Sequence, residues 1–135
     1  MTEIIVTLEG EPKGKGRPRF TKKGHAYTPR ATTVYEHLLR MRAKDAMMGR
    51  KPLTGPLTVT VGAFFPIAKS WTKAEKAAAI DGTKAHTSKP DIDNIAKTID
   101  ALNGVVWDDD SQITQLTALK RYSSSPALVV TVRQA

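Results

Sequence analysis

Residues 89–113 read KPDIDNIAKTIDALNGVVWDDDSQI, and this stretch contains the clearest structural pattern of the chain. Its aliphatic residues recur at helical spacing and predict one face that packs into a core: Ile92, Ile95, Ile99 and Leu102. Asn103-Gly104 is typical of a helix end. The stretch therefore predicts a helix over residues 91–102, followed by a short apolar segment and an acidic turn at residues 108–111.

Strands are predicted on both sides of this helix. Alternating or β-branched residues mark four segments: residues 2–8, 57–65, 112–122 and 127–133. The last two are separated only by the Ser-Pro turn of residues 123–126. We expect them to pair as an antiparallel hairpin.

Two further segments predict helices. Gly49 can end a helix over residues 29–48, whose apolar side chains lie near helical spacing: Val34, Leu38, Met41 and Met48. Residues 73–80 predict a shorter helix with Thr72 as its cap. Together these elements predict an α+β fold, with a small mixed or antiparallel sheet of about four strands and two main helices.

The composition suits one compact domain over residues 1–135. Hydrophobic residues make up 40% of the chain, which is enough apolar material for a core. Charged residues make up 25%, which is close to the ordinary value for a globular domain. The chain has no cysteine, which excludes disulfides and thiolate-held zinc. No apolar run approaches the roughly 20 residues that span a bilayer, and residues 1–10 lack a signal-peptide core. We therefore expect a cytoplasmic protein without a membrane partner.

Charges are segregated along the chain, whose formal net charge of +8 favours nucleic acid or another anionic partner. Glycines and prolines predict a long loop over residues 10–28, with a short hairpin around Lys23-Gly24. Residues 12–30 carry seven basic side chains and no acid: Lys13, Lys15, Arg17, Arg19, Lys22, Lys23 and Arg30. Acids instead concentrate in a second region: Asp91, Asp93, Asp100, Asp108, Asp109 and Asp110.

The acidic region has the oxygen ligands that a hard divalent cation prefers. Asp91 and Asp93 stand at a predicted helix start, and the Asp108–Asp110 run returns one helix and one turn later. If Asp110 meets Asp91 and Asp93, the three carboxylates repel one another, and a bound cation removes that repulsion. The alternative is that the first pair only caps the helix and the run is a solvated turn.

Two charged residues on the same helix admit two interpretations each. Lys97 lies one turn beyond Asp93, where it forms either a surface ion pair or a cation that neutralises charge on a reacting phosphate. Asp100 can pair with Lys97 at a spacing of three residues. The sequence alone does not choose between these roles.

Several blocks of this chain form a recognisable set. They are Asp91-x-Asp93-Asn94-x-x-Lys97, then Asp100-Ala101-Leu102, then Trp107, then Asp109-Asp110-Ser111-Gln112-Ile113. The N-terminal Gly14-Lys15-Gly16-Arg17-Pro18-Arg19 is a further block. In this order the blocks resemble the RusA family of Holliday-junction resolvases, which are common in bacteria and their phages.

The resemblance implies a homodimer that binds four-way DNA junctions and nicks two strands symmetrically. It implies three essential, metal-binding aspartates at Asp91, Asp93 and Asp110 and an essential lysine at Lys97, with Asp109 as a supporting acid. One or two Mg²⁺ ions would serve the hydrolysis, with Mn²⁺ as a substitute and no small-molecule cofactor. A bacterial or phage-encoded protein of the cytoplasm is expected.

DNA contacts are predicted on the basic loop, which we define as residues 13–30. Its glycines allow close backbone approach, and its arginines can grip phosphates. The predicted contacts are Lys13, Lys15, Arg17, Arg19, Lys22, Lys23 and Arg30. Phe20 and Tyr27 could stack on bases at an open junction. Some relatives carry several arginines directly before the first aspartate, whereas this chain offers only Lys89 and His86 there.

Three other functions are compatible with the same residues. The first is a non-catalytic module that binds junctions or duplex DNA. The second is a nuclease that acts mainly on flaps and other branched DNA. The third is a ribonuclease or an RNA-binding protein. Products from a four-way junction, a flap and a plain duplex distinguish the first two, and competition by RNA tests the third.

Overall fold

The structure is a computed structural model that describes residues 2–135. Its strands are β1 (Glu3–Glu9), β2 (Arg19–Phe20), β3 (Ala26–Tyr27), β4 (Leu57–Phe65), β5 (Ile113–Tyr122) and β6 (Ala127–Gln134). Its α-helices are α1 (Arg30–Met47), α2 (Lys73–Asp81) and α3 (Ile92–Ala96). Two short 3₁₀ helices follow α3, over Lys97–Leu102 and Asp110–Gln112. The predicted α+β class is confirmed.

Four strands form one mixed sheet in the order β1-β6-β4-β5. Strand β6 is antiparallel to both β1 and β4, whereas β5 is parallel to β4. The four-stranded sheet was predicted, but the antiparallel hairpin of the last two strands is wrong, because β4 lies between them. A Ser-Pro turn shows where one strand ends and the next begins, and it does not determine whether the two strands are neighbours.

The helix α1 packs on one face of the sheet through its buried side chains Tyr35, Leu39, Ala43 and Met47. The helix predicted over residues 29–48 is present as α1. The apolar residues whose spacing predicted it lie outside its buried face, since Val34, Leu38, Met41 and Met48 are all exposed. Periodicity alone does not show which of two neighbouring apolar faces of a helix is buried.

The segment after residue 91 is less regular than the predicted helix. It forms α3 and then the 3₁₀ helix Lys97–Leu102. At the junction the buried Thr98 hydroxyl donates to the carbonyl of Ile95 at 2.6 Å, a side-chain bond that competes with α-helical pairing. Ile95 and two later aliphatic residues are buried as predicted, whereas Ile92 is exposed because it lies at the helix start.

The shorter predicted elements, a hairpin and a second helix, are both present. The hairpin around Lys23-Gly24 is present as β2 and β3, with Gly24 at a φ of 82°. Helix α2 begins after Thr72, whose hydroxyl accepts from the Glu75 amide at 3.2 Å. Trp107 is fully buried and is therefore a packing residue. Among residues 2–135, no helix has both the length and the apolar character to cross a membrane.

Candidate active site and nucleic-acid interface

Asp91 and Asp93 stand at the start of α3 with their carboxylates exposed. Asp91 occupies the N-cap position, but its side chain makes no capping hydrogen bond. Each carboxylate instead faces an ammonium group. Lys89 Nζ lies 3.2 Å from Asp91, and Lys97 Nζ lies 3.8 Å from Asp93. The capping interpretation therefore does not account for the Asp91 side chain.

The second acidic element is the turn at the start of β5. Asp109 caps the 3₁₀ helix, since its side chain accepts from the Ser111 amide at 3.1 Å. The Ser111 side chain, followed by this amide hydrogen bond, lowers the pKa of Asp109. The Gln112 side chain completes a capping box by accepting from the amides of residues 108 and 109. Asp109 therefore shapes the turn, which is compatible with a supporting role beside Asp110.

Gln112 also connects this turn to the rest of the fold. Its Nε2 donates to the carbonyls of Leu53 and Gly55 at 2.9 and 3.1 Å. Four hydrogen bonds thus converge on one side chain, two accepted and two donated. Sequence reasoning placed Gln112 inside a motif but gave it no role. The motif spacing was the available signal, because a glutamine three residues after an N-cap is a capping-box pattern.

Lys97 lies between the two acidic elements. It pairs with Asp93 and also lines a cavity of about 330 Å³ together with Asp100 and Asp110. Asp91 lines a different cavity, described below. Among the described residues 2–135, no three acidic or histidine side chains lie close enough together to hold one metal ion. The structure of one chain thus brings Lys97 near both acidic elements without assembling a closed three-carboxylate cluster.

These donors suit a hydrated cation. Mg²⁺ takes one or two carboxylates and keeps several waters, so it does not require a complete protein cage. The ion pairs that now involve Asp91 and Asp93 are exposed, and such pairs contribute roughly 0–1 kcal/mol each. A divalent cation can replace them at little cost. The assignment of Asp91, Asp93 and Asp110 to one metal site stays a prediction.

The basic loop docks directly on the start of α3. The Lys15 amide donates to the Asn94 carbonyl at 2.8 Å. Gly14 makes this approach possible, because a Cβ there would lie 2.8 Å from Pro90 Cβ and 3.1 Å from Asn94 Cβ. Any side chain at position 14 would push the loop away from the helix. The glycine is thus required by contact with the acidic segment.

Lys15 anchors the same loop through its side chain. Its ammonium lies 3.1 Å from Asp100 and 3.6 Å from Glu36. Burial by itself lowers the pKa of Lys15, but the two carboxylates outweigh burial and raise it. Asp100 therefore pairs with Lys15, and not with Lys97 as one interpretation held. Lys15 stays a predicted DNA contact, although its charge is already balanced inside the protein.

Basic and acidic groups face one open cavity of about 510 Å³. The loop supplies Lys13, Lys15 and Arg17, and the opposite wall supplies Lys89, Asp91 and Asn94. The remaining predicted DNA contacts are exposed on the loop, the β2–β3 hairpin and the start of α1: Arg19, Lys22, Lys23 and Arg30. Phe20 on the hairpin is 69% exposed. A phosphate backbone can thus approach the basic loop and the Asp91 carboxylate together.

For two residues near the site the structure differs from the sequence prediction: His86 was expected to contact DNA, and Lys120 was given no role. The His86 ring stacks on Phe65 with centroids 3.8 Å apart, and burial, followed by the charge of Lys120, lowers its pKa. His86 is therefore a neutral packing residue, and its proposed DNA contact has no support in this placement. Lys120 donates to the carbonyls of Ser88 and Pro90. No motif in the sequence pointed to it.

An α+β scaffold that places a basic loop and exposed carboxylates around one open cavity defines a class: proteins that can bind a phosphate backbone. A family profile described as Endodeoxyribonuclease RusA matches residues 9–133. A Bacillus subtilis (strain 168) protein, described as Uncharacterized protein YqaN, is 34% identical over 140 residues, with 97% of this chain and 96% of the relative covered. The chain belongs to the RusA family of endodeoxyribonucleases, as its motifs indicated.

Proposed function

We propose that this chain is a Mg²⁺-dependent, structure-selective endodeoxyribonuclease that resolves Holliday junctions by paired symmetric nicks. Family membership gives the coarser activity, a nuclease of branched DNA. The observation that carries the finer proposal is the cavity shared by Asp91 and the basic loop. A backbone held by that loop lies beside the carboxylates at the start of α3.

The catalytic roles are proposed from the motif positions. Asp91, Asp93 and Asp110 would hold the metal ion, with Mn²⁺ as a substitute. When bound, the ion supplies Lewis-acid and water-activating chemistry. Lys97 lies between the acidic elements, so its ammonium can neutralise charge that develops on the scissile phosphate once it leaves Asp93. Asp109 keeps the Asp110 turn in shape through its bond to Ser111.

DNA binding would use the cations that line this cavity and those on the β2–β3 hairpin and at the start of α1. These are Lys13, Lys15, Arg17, Arg19, Lys22, Lys23, Arg30 and Lys89. Lys89 has a second role, since its ammonium pairs with Asp91 until a metal ion or a phosphate separates them. The exposed Phe20 on the hairpin is suited to stacking on an unpaired base at a junction.

The proposed unit is one domain over residues 1–135 that acts as a homodimer in the cytoplasm of a bacterium, encoded by the host or by a phage. Buried side chains of β1, α1, β4, α3 and β6 belong to one hydrophobic core, which supports a single domain. Two symmetric nicks need two active centres, and a homodimer with twofold symmetry supplies them. No small-molecule cofactor is part of the proposal.

The test is incubation of the protein with a synthetic mobile four-way junction, a flap and a plain duplex, each with and without Mg²⁺. The proposal predicts paired nicks on opposing junction arms, only with the metal, and little product from duplex. Junction binding without any product would support the non-catalytic alternative. Preferential cleavage of the flap would support a nuclease of other branched DNA, and equal competition by RNA would contradict selectivity for DNA.

A further inference from the structure

We propose that Lys120 is a positioning residue that holds the segment before Asp91 in place for metal binding. The inference rests on the proposed function, because it concerns the segment that carries Asp91 and Lys89. Lys120 is partly buried. It belongs to β5, an element separate from α3. Within residues 2–135 its ammonium forms no hydrogen bond or ion pair with any of the three predicted metal ligands, and it would act through the backbone.

The geometry is specific. Lys120 Nζ donates to the Ser88 carbonyl at 2.7 Å and to the Pro90 carbonyl at 2.9 Å. These two carbonyls stand on either side of Lys89, and the second belongs to the residue just before Asp91. Hydrogen bonds from an ammonium group are stronger than neutral ones. One side chain thus fixes two backbone positions within three residues of the first predicted metal ligand.

The segment has few other means of holding its shape. Residues 82–90 contain no helix or strand. Within residues 2–135, no backbone amide donates to the carbonyl of Ser88 or Pro90. Without Lys120 both carbonyls would turn to water, and the segment between them would gain freedom. Lys120 thus supplies the bonds that a regular element would otherwise supply.

A second anchor shows that this segment lies against the ends of two parallel strands. The His86 ring stacks on Phe65 and lies 5.1 Å from the ring of Tyr122. Phe65 and Tyr122 are paired residues at the ends of β4 and β5. His86 holds the middle of residues 82–90 by ring packing, and Lys120 holds their end next to Asp91. Lys120 Nζ also lies 5.9 Å from the centre of the Phe65 ring. Loss of Lys120 should therefore loosen the end that carries the carboxylate more than the part held by His86.

A lysine near a DNA-binding cavity has another role open to it, which is direct contact with phosphate. An ammonium has three donors, and two are used by the carbonyls of Ser88 and Pro90. The two roles differ in what they change. A phosphate contact governs junction affinity, whereas a positioning residue governs the mobility of the segment and the metal dependence of nicking. The experiment separates these quantities.

The variants are Lys120→Met, which keeps most of the length of the side chain, and Lys120→Arg, which keeps the cation. Arg121→Met is the matched control, because it removes the same charge from the next, exposed residue of β5. If Lys120→Met fails to fold, Lys120→Gln replaces it. The first measurement is amide hydrogen exchange of peptides over residues 86–95, without DNA or metal. The others are junction affinity and the single-turnover nicking rate as a function of Mg²⁺ concentration.

We expect Lys120→Met to exchange faster over residues 86–95 than the wild type, with exchange elsewhere unchanged. Its nicking rate at limiting Mg²⁺ should fall roughly tenfold, the effect typical of residues that orient metal ligands. Junction affinity should match that of Arg121→Met, and Lys120→Arg should recover most of the rate. Unchanged exchange would overturn the inference, as would an affinity loss as large as the loss of rate. If the wild type nicks no junction, the proposed function fails, and hydrogen exchange still decides the role of Lys120.

Discussion

Replacing Gln112 with alanine should destabilise the fold by about 2 kcal/mol without changing its charge. Four hydrogen bonds of 2.9 to 3.1 Å end on this side chain. Each such bond contributes about 0.5–1.5 kcal/mol net, and three of the four are exposed to water. The lower end of that range applies to each, and four bonds at about 0.5 kcal/mol give the total.

Urea unfolding measures this quantity directly. With a slope of about 2 kcal/mol per molar, a typical value for small proteins, the midpoint should fall by about 1 M. Gln115→Ala is the matched control, because Gln115 is exposed on the neighbouring strand and no side-chain hydrogen bond to it is present within residues 2–135. It should shift the midpoint by less than about 0.3 M, as a change within about 0.5 kcal/mol implies.

The same substitution should reduce nicking more than junction binding. Gln112 holds the turn that carries Asp110, and its side-chain hydrogen bonds go to residues 53, 55, 108 and 109 and not to the basic loop. A Gln112→Ala variant with the stability of Gln115→Ala would refute the reasoning about the turn. A variant that is destabilised but nicks at the wild-type rate below its unfolding midpoint would separate the turn from catalysis.

Three further predictions concern the loop, the histidine and the DNA contacts. Gly14→Ala places a Cβ 2.8 Å from Pro90 Cβ, so junction affinity measured by anisotropy should fall about tenfold; unchanged affinity would argue against docking. Burial lowers the pKa of His86, so stability should decline as pH falls below 6.5; His86→Asn should flatten this decline in thermal melts, and an equal slope would contradict it. Arg17→Ala with Arg19→Ala should reduce the salt slope of binding by about 2, and an unchanged slope would count against the loop.

The sequence predicted the elements of this fold better than their arrangement. Alternation located the strands, and the capping pattern at Thr72 located α2. The neighbour of β5 was mispredicted, because strand order depends on contacts between distant segments. β4 contains the small residues Gly62 and Ala63 and is almost wholly buried, and it therefore lies inside the sheet with a partner on each side.

The site followed the same division between local and distant information. The motif residues Asp91, Asp93 and Lys97 were found from spacing within one helix. The partners of Lys15 and the contacts of Lys120 were not, since each joins elements separated by tens of residues. A side chain that bonds to backbone carbonyls leaves no residue pattern that a single sequence can show.

The central claim is that the aspartates of this region act as metal ligands in DNA hydrolysis. The most direct test is the single-turnover nicking rate of a four-way junction in Mg²⁺ for Asp91→Asn, Asp93→Asn and Asp110→Asn, with Asp108→Asn as the control in the same acidic run. The account predicts that the nicking rate of the first three variants falls by roughly 100-fold or more, while their junction binding is retained. The Asp108→Asn control should nick at close to the wild-type rate. Wild-type rates in Asp91→Asn and Asp110→Asn would contradict it.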